Sequence, residues 1–191
     1  MKCLLLNIVI SLFSFSCLFA QIEQKRIKIN SENSFVKVHG STNVNEFRCT
    51  YSAELPIEEL EITYQQKGEN FIIKHEALFL KVINFTCPNS QMTEDFHDLL
   101  DYEQYPYIIF QVQKIINHNT AEIIIEMAGE QKTYFVDIQN NFQDNLLACT
   151  TTMQICITDF GLKAPEKFFG MVKVNENIEV DFKIEMSIYD S

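Results

Sequence analysis

The chain has 191 residues, 47% of them apolar and 21% charged, and its 26 Asp and Glu outnumber 15 Lys and Arg for a net charge of −11. Such a balance repels nucleic-acid backbones and anionic lipid surfaces, so a phosphate-tracking function is disfavoured. The length suits one domain with one core.

The first twenty residues read as a secretory signal peptide. Lys2 supplies a short positive start, Leu4 to Leu18 is an almost unbroken apolar run, and Leu18-Phe19-Ala20 offers a cleavage site before Gln21. The run is short for a membrane span, and no later segment is long and apolar enough to be one. The expectation is an exported protein, periplasmic or secreted. Ser14-Phe15-Ser16-Cys17 is the alternative, a lipoprotein box that would acylate Cys17, although Ser14 stands where such boxes carry Leu.

A polar lead-in covers residues 21–33, and the predicted domain covers 34–191. Strand-like stretches follow at Ser34–His39, Asn43–Ala53, Leu60–Gln66 and Asn70–Ile83. Between Ser90 and Tyr102 the period changes: Met92, Phe96, Leu99 and Leu100 fall at helical spacing, with Ser90 or Thr93 as cap, so one short helix is expected. A second series runs through Tyr107–Ile116, Ala121–Ala128, Lys132–Gln139, Leu146–Thr158 and Ile178–Tyr189. The last is the clearest: Ile178, Val180, Phe182, Ile184, Met186 and Ile188 alternate with mostly charged residues, which marks a strand with one face in an apolar interior.

Gly40-Ser41, Lys67-Gly68-Glu69, Asn117-His118-Asn119 and Ala128-Gly129-Glu130 supply turn chemistry, and connections this short imply antiparallel pairing. Many short strands, one helix and no βαβ rhythm predict an all-β sandwich or barrel. By parity, Phe47, Cys49 and Tyr51 share a face, as do Ile108, Phe110 and Val112, and Ile123, Ile125 and Met127.

Cys3 and Cys17 fall in the leader, leaving Cys49, Cys87, Cys149 and Cys156. An even count in an exported chain favours disulfides, and four cysteines allow three pairings that spacing does not decide. Cys149 and Cys156 lie on opposite faces if one uninterrupted strand carries both, which argues against a bridge between them. No metal-ligand spacing links His39, His75, His97 and His118, and no metal site is expected. There is no G-x-S-x-G elbow, H-E-x-x-H, P-loop or G-x-G-x-x-G, so no catalytic residue is assigned and no enzyme is expected. Asp159-Phe160-Gly161 matches the magnesium triplet of kinases but has none of its companions, and reads as a turn at a strand end. Asn84-Phe85-Thr86 is a glycosylation sequon.

Four segments, in order, resemble the YceI-like family of exported lipid-binding domains. Ser34 through Phe47, with Gly40-Ser41-Thr42, resembles its opening strand. Met92 to Leu100 running into Tyr105-Pro106-Tyr107-Ile108-Ile109-Phe110 resembles its helix and following strand. Thr158-Asp159-Phe160-Gly161-Leu162, then Pro165 and Gly170, and the closing Val174 to Ile184 complete the pattern. The departures are Asn-His-Asn before Ala121, where a Gly-rich turn is expected, and Cys149 and Cys156.

The resemblance implies an eight-stranded antiparallel, lipocalin-like barrel, with the helix between its halves and a Cys49–Cys87 disulfide. It also implies a long-chain lipid or isoprenoid as partner, with no further cofactor and room for a homodimer. Phe35, Val38, Phe47, Leu99, Ile108, Phe110, Phe160 and Phe182 are the candidate pocket lining, and Tyr105 a polar contact near the mouth. The competing reading is a barrel plugged by its own Phe residues, acting as a structural or interaction module of the envelope.

Overall fold

The computed structural model describes residues 22–53, 55, 59–74, 77–167 and 171–190. The expected leader, His75 and Gly170 lie outside the described residues. The architecture is all-β with one helix. The strands are β1 (Ile22–Ile29), β2 (Phe35–Ser41), β3 (Glu46–Tyr51), β4 (Glu59–Lys67), β5 (Asn70–Lys74), β6 (Ala77–Lys81), β7 (Phe85–Thr86), β8 (Tyr107–Ile116), β9 (Thr120–Met127), β10 (Glu130–Asp137), β11 (Gln139–Gln143), β12 (Leu146–Cys156), β13 (Glu166–Lys167), β14 (Val172–Lys173) and β15 (Asn177–Asp190). Helix α1 spans Ser90–Leu99.

All pairings are antiparallel, and the main sheet resolves into eight runs of chain: β1–β2, β3–β4, β5–β6–β7, β8, β9, β10–β11, β12 and β15. The first two runs keep one register across their breaks, with Lys25 opposite Ile62 and Lys37 opposite Thr50 at the same offset. The ladder is open at one seam. β10 pairs with β9 but not with β12, and the chain passes into β11 before pairing with β12. There the Thr151 hydroxyl donates to the Asp137 carbonyl at 2.8 Å.

The polar lead-in is not a lead-in: residues 22–29 form β1, which pairs with both β4 and β15. Its parity was hidden because Glu23 and Lys25 occupy the inward positions before Ile27 and Ile29, which are buried. Gly40-Ser41 is also strand rather than turn. Gly40 faces inward, where a Cβ would run into the ring of Phe47, and the reversal comes at residues 42–45, held by Thr42 Oγ1 accepting from the amides of Val44 and Asn45. Asn117 and His118, with φ of 48° and 65°, and Ala128 and Gly129, with φ of 51° and 80°, form the expected tight reversals. The helix cap is Asn89 rather than Ser90 or Thr93, its side chain accepting from the Met92 amide at 2.8 Å.

The two ends differ. The helix end carries α1, the 42–45 and 128–129 turns, and the excursion between β12 and β15, whose β13–β14 hairpin is clasped by Asn43 through the Met171 carbonyl and the Lys173 amide. The hairpin end carries the 68–69, 117–119 and 144–145 turns, with Ile22 and Asp190 beside them. α1 docks through Phe96, His97 and Leu100; buried His97 Nε2 lies 3.0 Å from the Phe85 carbonyl. Among the described residues no helix is long and apolar enough to cross a membrane.

Cys49 and Cys87 form a disulfide beside this docked helix, with Cys49 wholly buried. Cys149 and Cys156 are free, on opposite faces of the uninterrupted β12. Replacing both Cys49 and Cys87 by Ala should lower unfolding free energy by about 3–4 kcal/mol, because the bridge closes a 38-residue separation. Denaturant midpoints of the variant and of oxidised wild type check this.

Candidate functional site

The interior of the barrel is packed at the helix end and less filled at the hairpin end. Val36, Val38, Leu80, Val82, Phe85, Leu100, Ile125, Met153, Ile155 and Phe160 are all buried around the helix end. Toward the hairpin end burial is mixed: Ile27, Ile29, Ala121, Ile123, Val136 and Ile184 are buried, while Val112 and Ile115 on β8, Leu147 on β12 and Met186 on β15 are part-buried. Side chains that face a lumen yet keep accessible surface border space that close packing has not filled. The floor of that space is the pair Phe110 and Phe182, from strands that share no ladder, with ring centroids 5.5 Å apart across the lumen.

Polar inward groups are few. The Tyr64 hydroxyl donates to Glu23 at 2.5 Å near the hairpin-end rim. Cys149, opposite Ile184, donates to Asn140 Oδ1 at 3.0 Å, and burial pushes its thiol pKa up to about 11, so it is a protonated thiol at neutral pH. Tyr134 stacks on Phe160 with centroids 6.3 Å apart, and its hydroxyl is buried without a partner. Burial, then the nearby Asp159 and Cys156, raise the Tyr134 pKa.

The sequence-derived lining divides accordingly. Val38, Phe47, Ile108, Phe110, Phe160 and Phe182 do face the interior. Of these, Phe110 and Phe182 meet at the floor, while Val38, Ile108 and Phe160 belong to the packed half. Phe35 does not face in. It pairs with Lys183 on the outer face and lies under the ammonium of Lys37, 3.9 Å from the ring centroid. Leu99 is only part-buried on α1, whereas its neighbour Leu100 is among the core residues. Tyr105 rests against Gly129, where a Cβ would meet its ring, and its hydroxyl accepts from Gln104 Nε2 at 2.7 Å, which places it over a helix-end turn away from the unfilled half.

Val112, Ile115, Leu147 and Met186 were not on that list. Parity would have found Val112, Leu147 and Met186, since each continues a set already recognised, but not Ile115, which faces inward only because a bulge between Val112 and Lys114 shifts the register.

Other titratable groups form no catalytic constellation. His39 Nε2 lies 2.9 Å from Asp181 on the outer face, and the Thr152 hydroxyl donates to the same carboxylate at 2.7 Å, but no positioned nucleophile joins them. Among the described residues no cluster of His, Cys, Asp and Glu could hold a metal ion. The Thr152 hydrogen bond, followed by the His39 hydrogen bond and charge and the charge of Lys37, holds the Asp181 pKa below its usual value. Stability from a depressed carboxylate is present above the unfolded value of about 3.9 and fades as pH falls through the folded value. Thr152→Val should therefore raise the Asp181 pKa in an NMR titration and narrow the stability difference between pH 6 and pH 2.5.

Replacing Phe110 by Ala removes half of the lumen floor, and should reduce stability by about 2–4 kcal/mol. Thermal unfolding of the variant, alone and with an apolar probe that fills the vacated space, checks both the loss and its recovery.

Comparison with known proteins agrees with this architecture. The chain is similar in fold to the crystal structure of Burkholderia cenocepacia BcnA, with a TM-score of 0.60 at 11% identity, covering 83% of this chain and 99% of that one. It is also similar to a polyisoprenoid binding domain from Saccharophagus degradans implicated in plant cell wall breakdown, with a TM-score of 0.56 at 8% identity, covering 84% and 97%. Among curated protein sequences no relative matches. The family model for the YceI-like domain matches residues 22–186, starting at β1 and ending within β15, and the chain therefore belongs to the YceI-like family.

Proposed function

We infer that the protein is a binding module that holds a polyisoprenoid or similar long-chain amphiphile in the hairpin-end half of its lumen, and that it has no catalytic role. The observation that carries this is the contrast between the two halves. Leu80, Val82, Phe85 and Phe160 at the helix end have almost no accessible surface, while Val112, Ile115, Leu147 and Met186 at the hairpin end are part-buried, although Ile27, Ile29, Ala121, Ile123, Val136 and Ile184 on that side are buried too. The Saccharophagus degradans domain, described as polyisoprenoid binding, supports the ligand class.

Hydrocarbon burial suffices energetically. Each CH₂ removed from water contributes about 0.8 kcal/mol, so two prenyl units outweigh the ordering of a flexible tail without any specific polar contact. This also accounts for a lumen that places polar inward groups such as Glu23, Lys25 and Tyr64 at the rim. The Cys49–Cys87 disulfide supports an oxidising compartment and hence export.

A second reading, a closed module that binds no lipid, is favoured by one observation: the Phe110 and Phe182 rings already meet across the lumen. Cys149 separates the two, because it faces inward on β12 while Cys156 faces outward and serves as the internal control. With its pKa near 11, Cys149 should alkylate slowly at pH 8 and faster as pH rises. Loading with a prenol should slow alkylation of Cys149 and leave Cys156 unchanged. Equal Cys149 rates with and without prenol, together with a native mass free of any adduct, would establish the closed module instead.

A further inference from the structure

Inward residues on four strands change from accessible to buried at one level of the barrel. Phe110 on β8 stands opposite Leu78 on β6, and Phe182 on β15 stands opposite Thr151 on β12. All four are part-buried, whereas the next inward residue toward the helix end on each strand, Ile108, Leu80, Val180 and Met153, is buried. Toward the mouth, accessible surface continues at Val112, Leu147 and Met186, while Ile184 and the inward row of β9 are buried. A barrel of this kind has room for one small ligand, not several.

The wall at that level is made of the Phe110 and Phe182 rings, with centroids 5.5 Å apart across the lumen. Behind them lie residues with almost no accessible surface, so neither ring can swing toward the helix end without displacing a close-packed core. Thr151 at the same level has its hydroxyl committed to the Asp137 carbonyl at 2.8 Å, so a hydrocarbon terminus meets rings rather than an unpaired hydroxyl.

Strand geometry sets the depth above this wall. Phe182 and Ile188, at the rim, are six residues apart on β15, which at about 3.3 Å per residue and a tilt of about 40° is about 15 Å along the barrel axis. An extended chain with C–C bonds of about 1.5 Å advances about 1.3 Å per carbon, so that depth takes about twelve carbons.

We propose that the Phe110–Phe182 pair is a chain-length stop, which makes the lumen selective for about twelve carbons of hydrocarbon, or about three prenyl units, measured from the buried end. This deepens the lumen reading above and rests on it. Longer chains bind with their remainder outside the mouth.

Alkylphosphocholines of about six to about sixteen carbons, each below its micelle concentration, are the probes, with affinities measured by calorimetry on the whole protein. Each added carbon should tighten wild-type binding about threefold to fourfold up to about twelve carbons, the increment of a buried methylene, and by less than about 1.5-fold beyond. Val112→Phe puts a ring one inward step nearer the mouth and should move the break to about eight carbons. Phe110→Ala and Phe182→Leu, each verified as folded by circular dichroism, should move it to about fourteen. Met186→Ala, on the wall above the stop, should weaken binding at every length and leave the break in place.

Wild-type affinity that climbs steadily through sixteen carbons, or a break that stays in place in all three Phe110, Phe182 and Val112 variants, overturns the stop and leaves the lumen reading standing. Uniform weakening at every length in the Phe110 and Phe182 variants, as in Met186→Ala, assigns those rings a structural role only and overturns it too. Should Phe110→Ala not fold, Phe182→Leu and Val112→Phe decide. Failure of every chain to bind wild type removes the lumen reading and the stop together.

Discussion

The barrel depends on β15 being hydrogen-bonded along both edges. One edge takes β12 over its whole length, from Cys156 opposite Asn177 to Leu146 opposite Ser187. The other edge takes β2 and then β1, whose registers differ by three residues, the length of the 3-10 turn Ser31–Asn33 that separates them. Glu185 holds this offset in place. Its carboxylate accepts from Asn30 Nδ2 at 2.9 Å and Asn33 Nδ2 at 2.6 Å, its carbonyl from the Asn30 amide, and its amide donates to Ser34 Oγ. A buried carboxylate left without partners would strongly destabilise the fold; with two hydrogen bonds to its carboxylate and two to its backbone, Glu185 locks the kink that lets one strand follow another across a curved sheet.

The interior enclosed by this partly open barrel is uneven. The helix end is a conventional core, stabilised by docked α1, the disulfide, and residues such as Leu80, Phe85 and Phe160 that have almost no accessible surface. The hairpin end is built of the same strands with smaller or fewer inward groups, among them Val112, Ile115 and Ala121 across β8 and β9. The open hairpin end, where Val112, Ile115, Leu147 and Met186 keep accessible surface, is where unfilled space would lie. Such space is destabilising in itself, and a bound hydrocarbon would recover the lost contacts.

This division also explains why the lumen has so little chemistry in it. Hydrophobic burial is non-directional and scales with area, so an apolar interior is specified by the size and polarity of inward residues rather than by any motif. Polar atoms are placed instead at the rim and on the outer face, where Asp181 is held by His39 and Thr152 and where water supplies the remaining partners. The orphaned hydroxyl of Tyr134 is the exception among the described residues.

Alternation was most legible in β15, where the apolar residues from Ile178 to Ile188 all fall on one parity, and it survives in β8, β9 and β12 despite apolar residues such as Ile109, Ile124 and Leu146 on the other. The same reading missed β1, where Glu23 and Lys25 hold the inward positions at the rim, and it admitted both Phe35 and Val38 to the pocket although residues an odd number apart on one strand face opposite ways. The amino-acid sequence by itself determined the fold class, the helix, most turns and which residues share a face, since all of these rest on local periodicity and backbone preference. Only the tertiary structure decided that Phe110 meets Phe182, that the helix end holds the most deeply buried residues, and that Lys25, Arg26 and Lys28 share a groove with Phe142 and Tyr189. Those facts depend on how far each strand has slid past its neighbours by the time the ring comes round, and that shear is a property of all the ladders together.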